Sequence, residues 1–189
     1  MKTLLLSLLI STATCFAGEK FTVDQSNPSN LISFTSKAPL EEVVGRTNSA
    51  TGFIILPNAA SQGSSEIHVD LASLTTGLSL RDRHMRENHL ETDQFPEAVF
   101  TLTSLELPGG VLTQGKKTSV KVYGTMFLHG VAKEMNPITW LTLTGDDLVI
   151  ESKFSVSLQD YNITRPEFLI MKLADDQRID VKLTARRTP

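Results

Sequence analysis

Strict alternation of apolar and polar residues is the feature that most limits what this chain can become. Glu66-Ile67-His68-Val69-Asp70-Leu71 alternates, as do Lys153-Phe154-Ser155-Val156-Ser157-Leu158 and Arg178-Ile179-Asp180-Val181-Lys182-Leu183-Thr184. A period of two sets one face of a strand on an apolar interior and the other in water. That is the half-buried antiparallel strand, and it excludes a helical bundle. Turn residues interrupt the runs at short intervals. Asn27-Pro28-Ser29-Asn30 parts a strand at Phe21–Val23 from one at Leu31–Phe34, and Pro57 to Ser65 is a polar loop. Pro108-Gly109-Gly110, Gly145-Asp146-Asp147 and Ala174-Asp175-Asp176-Gln177 each suit a hairpin connection. About eight or more strands result, so the fold is all-β, mainly antiparallel, and either a closed barrel or a sandwich.

Two segments break the pattern. In Val120-Lys121-Val122-Tyr123-Gly124-Thr125-Met126-Phe127-Leu128, apolar residues fall on both faces, so the strand is expected to be covered on both sides. Gly124 in its middle suggests a bend or a close approach. Arg81-Asp82-Arg83-His84-Met85 is the best helix candidate, with Asp82 as cap, Met85 and Leu90 inward, and an end near Leu90. A short turn at Thr92 to Gln94 stops before Pro96, because a residue preceding proline avoids the helical region.

Residues 1–17 read as a secretory signal peptide: Lys2, a short apolar run from Leu4 to Ala13, and small Ala17 at the cleavage position. The run is too short for a membrane span. Residues 18–189 then form one domain, large enough for a sizeable core. Cys15 is the single cysteine and lies in the leader, so disulfides and thiol chemistry are excluded from the domain, with lipidation of Cys15 as the alternative to its removal. The chain carries a net charge of −3, more negative once Lys2 is lost, which argues against nucleic acid as a partner.

Catalytic and metal motifs are absent. No Gly-x-Ser-x-Gly elbow, phosphate loop or cysteine nucleophile occurs. His84 and His89 are five apart, about 140° round an α-helix, so they cannot chelate from one face. His68 and Asp70 share a strand face, but it is the face opposite Ile67, Val69 and Leu71. No metal and no cofactor are expected. His129 opens a turn, where a ligand rim or plain solvation are both open. Arg81-Asp82-Arg83-His84 also has two readings, a solvated helix start or a polar mouth whose arginine and histidine hold a ligand head group.

Four blocks together resemble the YceI family of secreted bacterial proteins. They are Arg81-Asp82-Arg83-His84-Met85, Phe95-Pro96-Glu97-Ala98-Val99-Phe100-Thr101, Gly124 to Lys133, and Phe154 to Ile163, in order and spacing. The resemblance implies a lipocalin-like, extended antiparallel β-barrel of about eight strands, with a short helical segment closing one end. It implies a non-catalytic protein, periplasmic or secreted, that holds a polyisoprenoid or fatty-acyl-like lipid inside the barrel. In that setting Arg81, Asp82, His84 and His129 rim or close the barrel, while Phe34, Phe53, Phe100, Met126, Phe127 and Phe154 are expected to line it. Burial would relieve the roughly 25 cal/mol per Å² that apolar surface costs in water. Asn30, where the family often has histidine, and His89, where a bulky apolar residue is common, depart from the pattern. A homodimer is compatible with this reading. The rival is an envelope interaction or structural module without a small-molecule ligand, for which a contiguous apolar patch outside the barrel would speak.

Overall fold

In the computed structural model, residues 18–38, 41–58, 63–168 and 171–188 are described. The leader expected at residues 1–17, with Cys15, lies outside the described residues. Among the described residues thirteen strands form: β1 (Lys20–Val23), β2 (Leu31–Lys37), β3 (Glu42–Thr47), β4 (Ala50–Ile55), β5 (Ser64–Asp70), β6 (Glu97–Glu106), β7 (Thr118–Leu128), β8 (Val131–Met135), β9 (Ile138–Thr144), β10 (Asp147–Ser157), β11 (Glu167–Phe168), β12 (Met171–Lys172) and β13 (Asp176–Thr188). Between β5 and β6 lies α1 (Ser79–His84), continued by one π-helical turn over Met85–His89.

Pairing runs β1-β4-β5-β6-β7-β9-β10-β13, and β13 pairs back onto β1. The ring is therefore closed, by eight antiparallel strands, and no sheet edge is left in it. Strand β13 is long enough to serve two partners, β1 with Ala185–Thr188 and β2 with Gln177–Lys182. Asn30 ties the turn between those partners to β13: its Nδ2 donates to Asp24 O at 2.9 Å and its Oδ1 accepts from Thr184 N at 3.0 Å. Pro137 lies between β8 and β9, which pair with successive halves of β7.

The interior divides lengthwise. At one end, the floor, Phe21, Val23, Leu148, Leu183 and Ala185 meet with almost no exposure, and Leu105, Val120, Leu141 and Leu143 pack round them. At the other end a second cluster of Leu71, Leu74, Leu128, Val156, Tyr161 and Ile163 joins the barrel rim to the helical segment, with Met85 and Leu90 packed against it.

Three local expectations change. Helix α1 begins at Ser79 after Leu78, so Asp82 sits within it and not at its cap. The Ala174–Gln177 stretch is not a two-strand hairpin; it ends an excursion of residues 158–175 between the paired strands β10 and β13, fastened where Ser157 Oγ donates to Asp175 Oδ2 at 2.5 Å. The middle of β7 is covered on one face only, since Tyr123 and Phe127 are 42% and 45% exposed on the outside.

A lidded apolar cavity as the candidate functional site

Above the floor the inward side chains stop short of one another and leave a cavity of about 930 Å³. Small-molecule sites commonly span roughly 300–1,000 Å³, so this one is large. Phe34, Phe100, Met126, Ile150, Phe154 and Ile179 are among its walls. Each is only half-buried, because it faces empty space.

Two glycines set the width. A Cβ on Gly45 would run into the Phe34 ring, its cross-strand partner. A Cβ on Gly124 would run into the Phe100 ring and Thr101 O. Each ring thus lies flat over a glycine on the adjacent strand, a known device for packing aromatics across a sheet. The expected close approach at Gly124 is this ring.

The helical segment forms the lid. Its start is fixed by Asp82, a buried carboxylate that accepts from Thr75 Oγ1 at 2.6 Å and Thr76 N at 2.7 Å. Burial pushes the Asp82 carboxyl up, but the Thr75 and Thr76 hydrogen bonds, with Arg86 nearby, outweigh it and hold its pKa below the usual value. Thr75 in turn bridges Arg46 on β3 through both backbone groups. Arg81 donates from Nε to Thr76 Oγ1 at 2.8 Å, and its Nη1 lies 3.9 Å from Glu41 Oε1.

The far end of the lid has two latches. His89 Nδ1 donates to Thr164 O at 2.9 Å. Glu91 Oε2 lies 2.8 Å from His129 Nε2, while His129 Nδ1 donates to Tyr161 O at 3.1 Å and its ring meets Phe95 at 4.4 Å. Burial pushes the His89 pKa down; the bond to Thr164 O opposes this and His84 adds to it.

The expected site residues fall into three groups. Phe34, Arg81, His84, Phe100, Met126 and Phe154 line the cavity. Asp82 and His129 are buried polar residues that hold the lid rather than line it. Phe53 and Phe127 point away from it. On β4 the inward position belongs to Ile54, and Phe53 lies outside under Lys20 Nζ at 5.4 Å. On β7 Met126 faces in, so its neighbour Phe127 must face out.

The histidine geometry is also corrected. Leu90 N bonds Met85 O, an i→i−5 bond. Five residues then make about one turn, so His84 and His89 come to the same side and both reach the cavity wall. Ser36 and Gln177, also on the wall, were missed although the alternations Ile32-Phe34-Ser36 and Gln177-Ile179-Val181 point at them. The departure at Asn30 sits with the β13 anchor and is structural.

Among the described residues no group of three or more His, Cys, Asp or Glu side chains could hold a metal ion, and no helix is long and apolar enough to cross a membrane. His68, on the outer wall, lies 2.8 Å from both Glu66 and Glu97, and these bonds raise its pKa.

A closed antiparallel barrel with an interior apolar cavity and a helical lid is a lipocalin-like binding fold. The YceI-like domain matches residues 21–185, and the chain belongs to that family. Among solved structures it is similar to BcnA of Burkholderia cenocepacia, at 19% identity and a TM-score of 0.71, covering 86% of this chain and 99% of that one. It is similar to a polyisoprenoid binding domain from Saccharophagus degradans implicated in plant cell wall breakdown, at 18% identity and a TM-score of 0.71, covering 89% and 98%. A YceI protein of Campylobacter jejuni matches at 17% identity and a TM-score of 0.62, covering 79% and 87%. No curated protein matches the chain significantly.

Proposed function

We propose that this protein carries or sequesters a long apolar molecule, a polyisoprenoid or fatty-acyl-like lipid, inside its barrel without altering it chemically. The observation that carries the reading is the cavity of about 930 Å³, walled by half-buried apolar side chains. Empty apolar walls are unfavourable, and filling them with a chain otherwise in water gains roughly 25 cal/mol per Å². The binding named for the Saccharophagus degradans domain supports the same ligand class. Arg81, His84 and His89 at the wall by the lid are placed to meet a polar end of such a chain. With the leader expected at residues 1–17, the reading places the protein in the periplasm or outside the cell. Mass spectrometry of organic extracts of purified protein tests it. A copurifying apolar chain is expected; a persistently empty cavity that takes up neither added polyprenol nor fatty acid would overturn it.

One observation favours a second reading, an envelope interaction module. Tyr123 and Phe127 are exposed on the outer face of β7, with Val99 beside Phe127. Pull-down from envelope extract with wild type and Phe127→Ser decides it: a partner retained by wild type and lost by the substitution supports an outer interface, and no retained partner counts against it.

A further inference from the structure

The inward rows of β2 and β13 run Ile32, Phe34, Ser36 and Leu183, Val181, Ile179, Gln177, and all line the cavity. At the lid end both rows finish in a polar residue, and these two, Ser36 and Gln177, are direct cross-strand partners. Ser36 is 1% exposed, and its Oγ has no hydrogen-bond partner among the described residues. Gln177 is buried too. Its Nε2 donates to Ala174 O at 2.7 Å and Asp175 O at 3.4 Å. Those two carbonyls fix the amide orientation, because Oε1 cannot face them. Oε1 is therefore turned away from those carbonyls, and it is not in hydrogen-bond contact with Ser36 Oγ, which has no partner among the described residues. Buried hydroxyls are almost always satisfied, and an unsatisfied one is costly enough to need an explanation.

We propose that Ser36 and Gln177 form a polar anchor for a neutral donor–acceptor group, an alcohol or a carboxamide, carried by the apolar chain in the cavity. This rests on the apolar-chain reading above. Ser36 O–H donates to the ligand oxygen, and the ligand O–H or N–H donates to Gln177 Oε1. A carboxylate or phosphate could accept from Ser36, but it has nothing to give Gln177 Oε1 and would sit against that oxygen's partial negative charge. Of the basic residues at the wall, Arg81 is bonded to Thr76 and faces Glu41, and His89 is bonded to Thr164 O, while His84 lies on the same lid segment. An anion at the pair would thus be desolvated without a dedicated counter-charge.

Displacement of a fluorescent fatty probe by hexadecane, hexadecanol, hexadecanamide and hexadecanoate tests the anchor in wild type, Ser36→Val and Gln177→Met. In wild type the alcohol and the amide should bind roughly tenfold or more tighter than hexadecane, as expected for one to two added hydrogen bonds, and tighter than the carboxylate. Ser36→Val should bring hexadecanol to the level of hexadecane while leaving hexadecane unchanged. The ligand-free Ser36→Val protein should melt at or above wild type, because an unpartnered hydroxyl is gone; with hexadecanol the order should reverse. Gln177→Met should lose the preference in the same way. Equal binding of all four compounds by wild type, or a full preference retained in Ser36→Val, overturns the anchor alone. Failure of every chain to displace the probe overturns the apolar-chain reading and the anchor with it.

Discussion

The floor and the lid end of this barrel are built from the same alternating strands, yet one is solid and the other hollow. At the floor, inward side chains from opposite walls meet, and Leu148 and Ala185 are fully buried. Towards the lid, Phe34 and Phe100 lie flat against the wall over Gly45 and Gly124, and the middle stays open. What separates the two halves is where the large residues lie. The floor supplies stability, and the lid end gives up packing to keep space.

The strongest way to break that contrast is paired truncation. Leu148→Ala should cost about 2–5 kcal/mol in denaturant unfolding, as for a filled core site. Phe154→Ala, which already faces the cavity, should cost about 1–2 kcal/mol, because less packing is lost. Equal losses would mean that the upper half is a packed core.

Next in size is Gly124→Ala. The added methyl must displace the Phe100 ring, at about 1–3 kcal/mol for overpacking. It should also shrink the space open to a chain, so probe affinity falls along with the melting temperature. Unchanged affinity would detach the glycine from cavity width.

Asp82→Asn should loosen the lid while sparing the floor. Losing a carboxylate that accepts from Thr75 and Thr76 should cost about 1–2 kcal/mol. Hydrogen exchange is expected to quicken over residues 79–90 and stay slow at Leu148 and Leu183. Uniform acceleration would show that the lid and the floor open together.

The smallest effect concerns pH. Burial holds the His89 pKa below the ordinary histidine value of 6.5, so the unfolded chain takes up the proton more readily than the folded one. Its contribution is therefore intact above about 6.5 and erodes as pH falls through that value towards the depressed one. Melting temperature should drop more between pH 7 and pH 5 in wild type than in His89→Gln. His68 works the other way: with its pKa raised by Glu66 and Glu97, its small contribution is complete below 6.5 and fades as pH rises through the raised value. If His89→Gln leaves the acid slope unchanged, the latch to Thr164 is not the acid-sensitive part of the lid.

Much of the barrel was legible because period-two alternation is a direct print of strand faces. Ile67, Val69, Ile179 and Val181 all face the interior as the pattern requires. Failure came where alternation was set aside. Met126 and Phe127 were both placed inside, although neighbours on one strand cannot share a face. Phe53 is expected to line the barrel, but the inward position on β4 belongs to its neighbour Ile54. Ser36 and Gln177 escaped because a polar residue in an inward row looks like an error in the pattern when it can be the informative part. The lid was harder for a physical reason. A π-turn is one inserted residue in the hydrogen-bond count, and local sequence does not mark it, so the α-helical angle between His84 and His89 gave the wrong side.

The pairing of β1 with β13 bears on how the chain comes to be folded at all. Lys20 meets Thr188 and Val23 meets Ala185, so the ring is sealed by its first and last strands. A chain emerging from its amino end cannot shut the ring until β13 is free, and contacts so far apart in sequence form slowly. Until then β1 and the Ala185–Thr188 end of β13 each present an unpaired edge open to foreign strands. Synthesis thus yields an open, pliable sheet, and the closed cup appears only at the end.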